Sequence, residues 1–263
     1  MNSELERLYK QILRIKELKR IVEDLKASKR DVCNSDGPAT AIILETRKHM
    51  ALSFVVRNVL ENLDPNWSVR IFHGNLNEEF VSELLQTELF DLRDRITLKN
   101  LGVDNLETEK EYSKILMNGK FTEEIPTEIF LIFQTNSMIN PKGRDLIKKF
   151  LNYDYVGAPW KNGGVGHGGF SLRRRSRMMA IINSVPVNNK IDYEDILFSM
   201  GSARVKPWKP SSEEAREFCL EAVYSEKFFG IHQPWECFKD NINDLFLLCP
   251  GLETLISLQG VFK

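Results

Sequence analysis

The spacing of apolar positions predicts a helix at the start of the chain. Between residues 3 and 27 the apolar side chains recur every three or four positions, at Leu5, Leu8, Ile12, Ile15, Leu18, Val22 and Leu25. Because no glycine or proline interrupts this spacing, we expect an amphipathic helix within residues 1–30. Lys19 breaks a strict heptad, so the apolar stripe has two alternative partners: the domain that follows, or a second copy in a homo-oligomer.

After a turn-like segment at residues 33–39, short apolar runs typical of buried strands alternate with helical stretches. The predicted strands are TAIILE (40–45), NWSVRIFHG (66–74), RITLKNLG (95–102) and EIFLIFQTNS (128–137). HMALSFVVRNVLENL and EEFVSELLQT are predicted helices between them. Such alternation favours a doubly wound, mostly parallel sheet with helices on both faces. We therefore expect one α/β domain over residues 38–263.

The second half of the chain continues the alternation and indicates where a ligand would bind. GRDLIKKFLN and SRMMAIINSV are predicted helices, YDYVGAPW a strand with a loop, and IDYEDILFSMG the start of another helix. Ligands of such sheets bind outside the carboxyl ends of the strands. That rule selects residues 45–47, 73–75 and 134–137.

Composition and charge exclude several classes of protein. A chain of 263 residues with a net charge of −1 has no overall basic footprint for nucleic acid. It has no apolar run near the ~20 residues of a membrane span and no signal-peptide pattern. Its four cysteines lack C-x-x-C pairing, which suits a reducing compartment. We therefore expect a cytoplasmic protein without a membrane span.

The segment YVGAPWKNGGVGHGGFSLR, residues 155–173, holds six of the fifteen glycines. Glycine costs more ordering entropy than other residues, so such a run is expected to lie close against something. Gly164, Gly166 and Gly169 match G-x-G-x-x-G, but a dinucleotide loop must join the first strand to a helix, and this segment lies past mid-chain. No Gly-Lys-Ser/Thr follows to make a phosphate loop. A hairpin without a ligand remains the alternative.

Seven strings in order resemble a family of glycosyltransferase-like proteins of GT-A type, found in bacteria, fungi and large DNA viruses. They are TAIILETRKHMALSFVVRNVLENL, NWSVRIFHGNLNEEFV, EIFLIFQTNSMI, YDYVGAPW, GVGHGGFSLRRRS, YEDILFS and FGIHQPW, and the resemblance covers roughly residues 40–238. The most specific part is G-x-G-G-F-S-L-R followed by E-D. The resemblance implies a Rossmann-like GT-A fold and transfer of a sugar from a nucleotide-diphosphate sugar to a hydroxyl of a glycan or other acceptor. The GGFS…ED order is also similar to inverting galactosyl- and Fringe-type transferases, which implies inversion.

Inverting transfer needs a carboxylate that takes the proton from the acceptor hydroxyl. We expect Asp195, beside Glu194 at the start of a helix, to be that base. The alternative is a pair of carboxylates favoured by the helix macrodipole. The resemblance places the wall of the sugar cleft at Trp160, Gly166, His167, Gly168, Gly169 and Phe170. For the two aromatic residues, packing in the core is the alternative.

The donor nucleotide is assigned to strand ends and to the first arginine after the glycine segment. These residues are Glu45, Arg47, Gln134, Asn136 and Arg173. GT-A enzymes usually carry Asp-x-Asp or an equivalent at a central strand end, and the related proteins have Gln-Thr-Asp-Ser where this chain has Gln-Thr-Asn-Ser. Asn136 therefore implies a weak Mn²⁺ or Mg²⁺ site, completed by His232 of FGIHQPW.

Two alternatives to this metal site stay open. Arg47, Arg173 or Arg175 would stabilise the leaving group without a metal. His232 would then be a packed histidine. At the level of function, the alternatives to a glycosyltransferase are a catalytically degenerate sugar- or nucleotide-binding or scaffold protein, and an unrelated α/β nucleotide-binding enzyme.

Overall fold

The protein is described by a computed structural model over residues 38–186 and 191–260. The predicted helix within residues 1–30, and its packing or self-association, lie outside the described residues. The strands are β1 (Ala39–Leu44), β2 (Trp67–His73), β3 (Ile96–Asn100), β4 (Ile129–Ile132), β5 (Ser137–Ile139), β6 (Tyr155–Val156), β7 (Ser171–Arg174), β8 (Cys219–Leu220) and β9 (Gly230–His232).

The α-helices are α1 (Leu52–Asn62), α2 (Glu78–Gln86), α3 (Glu109–Leu116), α4 (Gly119–Glu123), α5 (Arg175–Ser184), α6 (Glu194–Met200), α7 (Ser212–Ala215), α8 (Ile242–Leu248) and α9 (Leu252–Gln259). Four further segments are 3₁₀ helices: Phe90–Arg95, Pro141–Lys149, Pro234–Glu236 and Lys239–Asn241. Among the described helices, none is both long enough and apolar enough to cross a membrane.

Six strands form the main sheet in the order β3-β2-β1-β4-β7-β6. The first four are parallel, whereas β7 runs antiparallel to both β4 and β6. A smaller sheet has the order β5-β9-β8. The chain turns between β4 and β5, the first strand of this smaller sheet. Ser137 Oγ stabilises the turn, because it accepts from the Gln134 N–H at 2.9 Å and donates to the Gln134 carbonyl at 2.8 Å.

The burial of β1 explains why the main sheet lies at the centre of the domain. Every residue of ATAIIL is buried, a continuous apolar run typical of a parallel strand that is covered on both faces. Ile42 and Leu44 pack in one cluster with residues of α3, α4, α5 and α6. Ala41 and Ile43 point to the other face because side chains alternate along a strand, and α1 contacts β2 and β5 there. The predicted α/β fold class, with a mostly parallel sheet and helices on both faces, is confirmed.

Two predicted elements differ from the structure. The predicted strand over residues 128–137 ends at Ile132, because the chain turns at residues 134–137 and then enters β5 of the second sheet. GRDLIKKFLN is not an α-helix but part of the 3₁₀ segment Pro141–Lys149. This segment is held tightly against the chain near β9, since a side chain at Gly143 would collide with the Phe228 carbonyl.

Candidate active site

A cavity of about 580 Å³ opens at the carboxyl ends of β1 and β4. The segments that follow these two strands line it, together with residues 105–109 and the starts of α3 and α6. The glycine segment and the second sheet complete the wall. This is the edge at which ligands bind in α/β sheets, as predicted for residues 45–47 and 134–136. Residues 73–75 do not line the cavity, and His73 is buried with Nδ1 3.0 Å from the Gly74 carbonyl.

Most of the predicted site residues meet in this cavity. They are Glu45, Arg47, Gln134, Asn136, His167, Gly168, Gly169, Glu194, Asp195 and His232. The cavity also has a strongly acidic wall, because six carboxylates line it: Glu45, Glu107, Glu109, Glu194, Asp195 and Glu221. Among the described residues that line the cavity, Arg47 is the only lysine or arginine.

Arg173, predicted to contact the diphosphate, does not reach the cavity. Its side chain is 1% exposed, and Nη1 lies 2.6 Å from Glu194 Oε2. Nε donates to Ser171 Oγ at 2.9 Å and Nη2 donates to the Gly168 carbonyl at 3.3 Å. The guanidinium also lies near the rings of Tyr155 and Phe198. Arg173 therefore fastens the glycine segment and α6 to β7 from beneath the site.

The pKa values of this buried pair follow from two opposing effects. Burial alone would lower the pKa of the Arg173 guanidinium, but Glu194, Tyr155 and Tyr112 together outweigh it and the pKa is raised. For the Glu194 carboxyl, burial raises the pKa and Arg173 opposes that rise. Arg175 is not at the cavity either, since Nη1 donates to the Ile125 carbonyl at 3.2 Å. Of the three arginines considered for the leaving group, only Arg47 lines the cavity.

Three residues predicted for the sugar cleft face the protein interior or one another. Phe170 is fully buried, with ring centroids 5.6 Å from Phe218 and 5.7 Å from Phe229. Phe170 is therefore a core residue, which was the alternative given for the two aromatic residues. The Trp160 ring lies directly against Gly166, where an added Cβ would collide with it. Neither Trp160 nor Gly166 lines the cavity.

The last two glycines of the segment let the site residues approach its backbone. A Cβ at Gly168 would collide with Glu194 Oε1 and would lie 2.9 Å from the Cβ of Asp195. A Cβ at Gly169 would collide with the His232 ring and would lie 2.9 Å from Gln134 Oε1. The glycine segment therefore lies against the protein's own polar side chains and is not a free hairpin.

Asp195 and Glu194 differ in their freedom to react. The Glu194 carboxylate is buried and paired with Arg173. Asp195 is partly exposed, and Oδ1 accepts from the Ile196 N–H at 2.7 Å. Its other oxygen, Oδ2, has no hydrogen-bond partner within the described part of the chain. Asp195 is thus the carboxylate of this pair with an oxygen free to contact a ligand in the cavity.

Glu45 and Arg47 form a closed pair after β1. Arg47 donates from Nε to Glu45 Oε1 and from Nη2 to Oε2, both at 2.8 Å, and its backbone N–H donates to Oε1 at 2.9 Å. Thr135 Oγ1 donates to Oε2 at 3.2 Å. The hydrogen bonds that Arg47 donates to Glu45 raise the pKa of Arg47, whose side chain is 60% exposed. Arg47 is therefore a fixed positive charge at the open side of the cavity.

Glu221, which the sequence did not indicate, joins two predicted site histidines. Its Oε1 lies 3.2 Å from His167 Nδ1 and 3.1 Å from His232 Nδ1. On the other side of its ring, His232 Nε2 lies 3.1 Å from Gln134 Oε1. Glu221 follows the two-residue strand β8, which is too short to show a periodic pattern. Spacing along the chain therefore gave no signal for it.

The two predicted metal ligands differ in how well they fit a cation. Asn136 Nδ2 donates to Gln233 Oε1 at 3.0 Å, and Asn136 Oδ1 is buried with no partner among the described residues. A free amide oxygen at this edge suits a hard cation. His232 offers only Nε2 to a cation, because Glu221 Oε1 lies 3.1 Å from Nδ1; a carboxylate in that place is the usual partner of a metal-bound histidine, and Gln134 Oε1 lies 3.1 Å from Nε2. Within residues 38–186 and 191–260, no group of three or more His, Cys, Asp or Glu forms a metal site.

Other lining residues come from segments to which no site was assigned. His49 lies just beyond the 45–47 segment, and its Nδ1 accepts from the Ala51 N–H at 3.1 Å. Burial lowers the pKa of His49. Gln259, at the end of α9, donates to the Thr135 carbonyl at 2.7 Å. Gln259 lies beyond the predicted resemblance, so only the folded chain could show it.

Solved structures similar to this chain include three glycosyltransferases. The mannosyltransferase PcManGT from Pyrobaculum calidifontis, in complex with GDP-Man and Mn²⁺, is 13% identical with a TM-score of 0.47, covering 73% of this chain and 62% of its own. The apo-form glycosyltransferase GlyE of Streptococcus pneumoniae TIGR4 is 8% identical, with a TM-score of 0.47 and coverage of 75% and 55%. The apo bifunctional glycosyltransferase WbbM is 9% identical, with a TM-score of 0.49 and coverage of 86% and 52%. The chain spans less than two thirds of each of these proteins.

No curated protein matches this sequence. One family model does, over residues 95–234, and its description is "Protein of unknown function (DUF5672)". The match runs from the start of β3 through α6 to the residues after β9, so it includes the glycine segment, Asp195 and His232. Because it spans more than half of the chain, the protein belongs to the DUF5672 family.

Proposed function

We propose that this protein transfers a sugar from a nucleotide-diphosphate sugar to a hydroxyl of a glycan or other acceptor, with inversion. The observation that supports this most is the placement of Asp195. Its carboxylate has a free oxygen, lies in a cavity at the carboxyl edge of a mostly parallel sheet, and follows the Gly-Gly-Phe-Ser sequence that leads into β7. The order of these residues is the one that the sequence resemblance associates with inverting transferases.

In the proposed reaction, Asp195 accepts the proton of the acceptor hydroxyl. The hydroxyl oxygen then forms a bond to the anomeric carbon from the face opposite the diphosphate. The bond between that carbon and the diphosphate oxygen breaks, and the electron pair leaves with the nucleoside diphosphate. Arg173 supports this step indirectly, since it fixes Glu194 and Gly168 and so holds the start of α6 in place.

The charge of the leaving group is the main electrostatic problem of this site. Of the six carboxylates that line the cavity, Glu45 is paired with Arg47 and Glu194 with Arg173. The other four would repel a nucleoside diphosphate unless a cation accompanies it. Asn136 would hold a divalent ion through its free Oδ1, and such an ion, when bound, would neutralise diphosphate charge. His232 Nε2 would be a second protein ligand, since Glu221 beside Nδ1 is the usual partner of a metal-bound histidine.

A second reading also has an observation in its favour. Asn136 stands where the related proteins have a carboxylate, and the acidic wall disfavours a bare diphosphate. A catalytically degenerate member of the family that binds a sugar or nucleotide without turnover would show both features. This reading predicts ligand binding in the cavity and no sugar release.

A panel of nucleotide sugars tests the proposal. A thermal-shift screen with nucleoside diphosphates, each with and without Mn²⁺, first identifies the base, since a ligand of the native state raises apparent stability. Donor hydrolysis and transfer are then measured with the matching sugars. We expect turnover of at least one donor and a product of inverted configuration. Binding without turnover would favour the degenerate protein, and failure of all nucleoside diphosphates to bind would overturn both readings.

A further inference from the structure

The carboxylates of the cavity wall that are not paired with an arginine are Glu107, Glu109, Asp195 and Glu221. Within residues 38–186 and 191–260, none of them forms an ion pair with a lysine or an arginine. Lys110, the residue after Glu109, pairs instead with Asp192 at 2.8 Å. This part of the wall therefore has an excess of negative charge.

A divalent ion at Asn136 would not remove this excess. Such an ion accompanies the nucleoside diphosphate, and the negative charge of the diphosphate offsets its positive charge. The unpaired carboxylates would remain together in the cavity, where like charges disfavour one another. A further cationic group, which must belong to the rest of the substrate, would offset them.

Glu221 is the carboxylate with an open hydrogen-bonding position inside the protein. Its side chain lines the cavity and the residue is 7% exposed. Oε1 lies 3.2 Å from His167 Nδ1 and 3.1 Å from His232 Nδ1, whereas Oε2 is buried and has no partner in the described part of the chain. A buried oxygen without a donor is unfavourable. An ammonium group has three N–H donors and no acceptor, so it supplies what Oε2 lacks.

Glu221 lies near the candidate base, because both border the same short piece of backbone. A Cβ at Gly168 would lie 2.9 Å from the Cβ of Asp195. A Cβ at Gly169 would collide with the ring of His232, whose Nδ1 lies beside Glu221. The Cα atoms of two neighbouring residues are only about 3.8 Å apart. A cation at Glu221 would therefore lie close to the hydroxyl that reacts at Asp195.

We propose that the cavity binds a sugar that carries a protonated amino group, and that Glu221 Oε2 accepts a hydrogen bond from the ammonium. The amino group belongs to the sugar of the donor or to the acceptor. It serves as an anchor, because a protonated amine has no free electron pair and the hydroxyl at Asp195 remains the nucleophile. A sugar hydroxyl would also donate to Oε2, but only an ammonium also offsets the charge of the wall. This inference rests on the proposed function, because it takes the cavity as the place where sugars react.

Calorimetry in EDTA compares methyl β-D-glucopyranoside with its amino analogues, in which an amino group replaces the hydroxyl at C2, C3, C4 or C6. We expect at least one analogue to bind about tenfold more tightly than the parent glucoside, because charge-assisted hydrogen bonds are the stronger ones. The N-acetylated form of that analogue keeps the position and loses the charge, so it should lose the advantage. The proposal is overturned if no analogue binds more tightly than the parent, or if the N-acetyl form binds as tightly as the amine.

Glu221→Gln keeps the size of the side chain and removes its charge. The preference for the amine over the parent glucoside should fall to within a factor of about three. Because this preference is a ratio, a displacement of His167 and His232 that weakens both ligands does not alter it. Glu109→Gln is the matched control, since it removes the same charge from an exposed position of the same wall and should keep most of the preference. Equal losses in the two variants would overturn the role of Glu221.

Competition with the donor found by the nucleotide-sugar panel locates the amino group. An amino glucoside that binds alongside the intact donor occupies the acceptor position, whereas one that the donor displaces occupies the position of the donor sugar.

The outcome can be separated from that of the proposed function. If amine binding depends on Glu221 while no nucleotide sugar is turned over, the transferase proposal fails and the amine site stands. If donors are turned over and no preference for an amine is found, the amine site fails and the transferase proposal stands.

Discussion

At the scale of single residues, Glu194 and Asp195 are adjacent carboxylates with different surroundings. Asp195→Asn keeps the shape and removes the base, so transfer should fall on the order of a hundredfold or more. Affinity for the nucleoside diphosphate should not fall. Single-turnover rates and calorimetry check the two parts, and transfer within a factor of about three of the wild type would remove Asp195 from the mechanism.

Glu194→Gln is the informative comparison for Asp195→Asn. It leaves the Arg173 guanidinium buried without its counter-ion. Breaking a buried ion pair in this way should lower the free energy of unfolding by about 3–5 kcal/mol. Denaturant unfolding of both variants measures it. We expect Asp195→Asn, at a partly exposed position, to unfold close to the wild type.

Glu221 should act by positioning His167 and His232. Glu221→Gln removes the negative charge of the carboxylate that both imidazole rings contact. The rings should then no longer be held in the arrangement that lines the cavity. Transfer should fall on the order of tenfold to a hundredfold, a usual effect of small misplacements. The histidine ring signals in NMR provide a direct readout. Unchanged signals of both rings would show that Glu221 does not position them.

The cation at Asn136 can be tested by supplying the missing carboxylate. With Mn²⁺, Asn136→Asp should tighten binding of the nucleoside diphosphate on the order of tenfold, because a charged oxygen serves a hard cation better than an amide. In EDTA the same variant should bind more weakly than the wild type, since the new charge repels the diphosphate. Asn136→Ala, which adds no charge, is the control. Wild-type binding that is indifferent to EDTA would exclude the metal.

At the scale of elements, the glycine segment brings β7, α6 and β9 together. Even Gly168→Ala or Gly169→Ala should disturb the site, because the added Cβ collides with Glu194 at the first position and with His232 at the second. Transfer should fall on the order of tenfold or more while the domain still folds. Gly119→Ala is the control, since its Cβ would meet Met179 at an ordinary 3.6 Å. Circular dichroism and transfer assays compare the three variants.

The elements also show what a sequence can and cannot predict. Alternating apolar runs predict β1 to β3 because buried parallel strands such as ATAIIL are continuous apolar segments. The same rule extends β4 too far, since the polar turn at residues 134–137 follows the apolar run directly. Arg173, predicted to contact the diphosphate, is buried against Glu194, and no local pattern in the sequence indicates that contact. Glu221 has no local pattern at all, because only the pairing of β8 with β9 brings it to His232.

At the scale of the whole molecule, a net charge of −1 conceals an uneven distribution. The cavity has six carboxylates against one arginine. In EDTA, raising NaCl from about 20 to 300 mM shortens the Debye length from roughly 20 to 6 Å and screens this repulsion. Affinity for the nucleoside diphosphate should therefore rise with salt, whereas affinity for the uncharged nucleoside should stay constant. A fall with salt would mean that cationic side chains dominate the site.

The contacts that close the cavity join distant parts of the chain, and this has a consequence for biosynthesis. Every strand of the main sheet lies between residues 39 and 174. The cavity, however, also needs Asp195, Glu221, His232 and finally Gln259, which holds the turn after β4 through Thr135. A chain still on the ribosome can thus complete its central sheet long before it can complete its site. A donor should therefore bind only after residues 195–259 have folded onto the sheet.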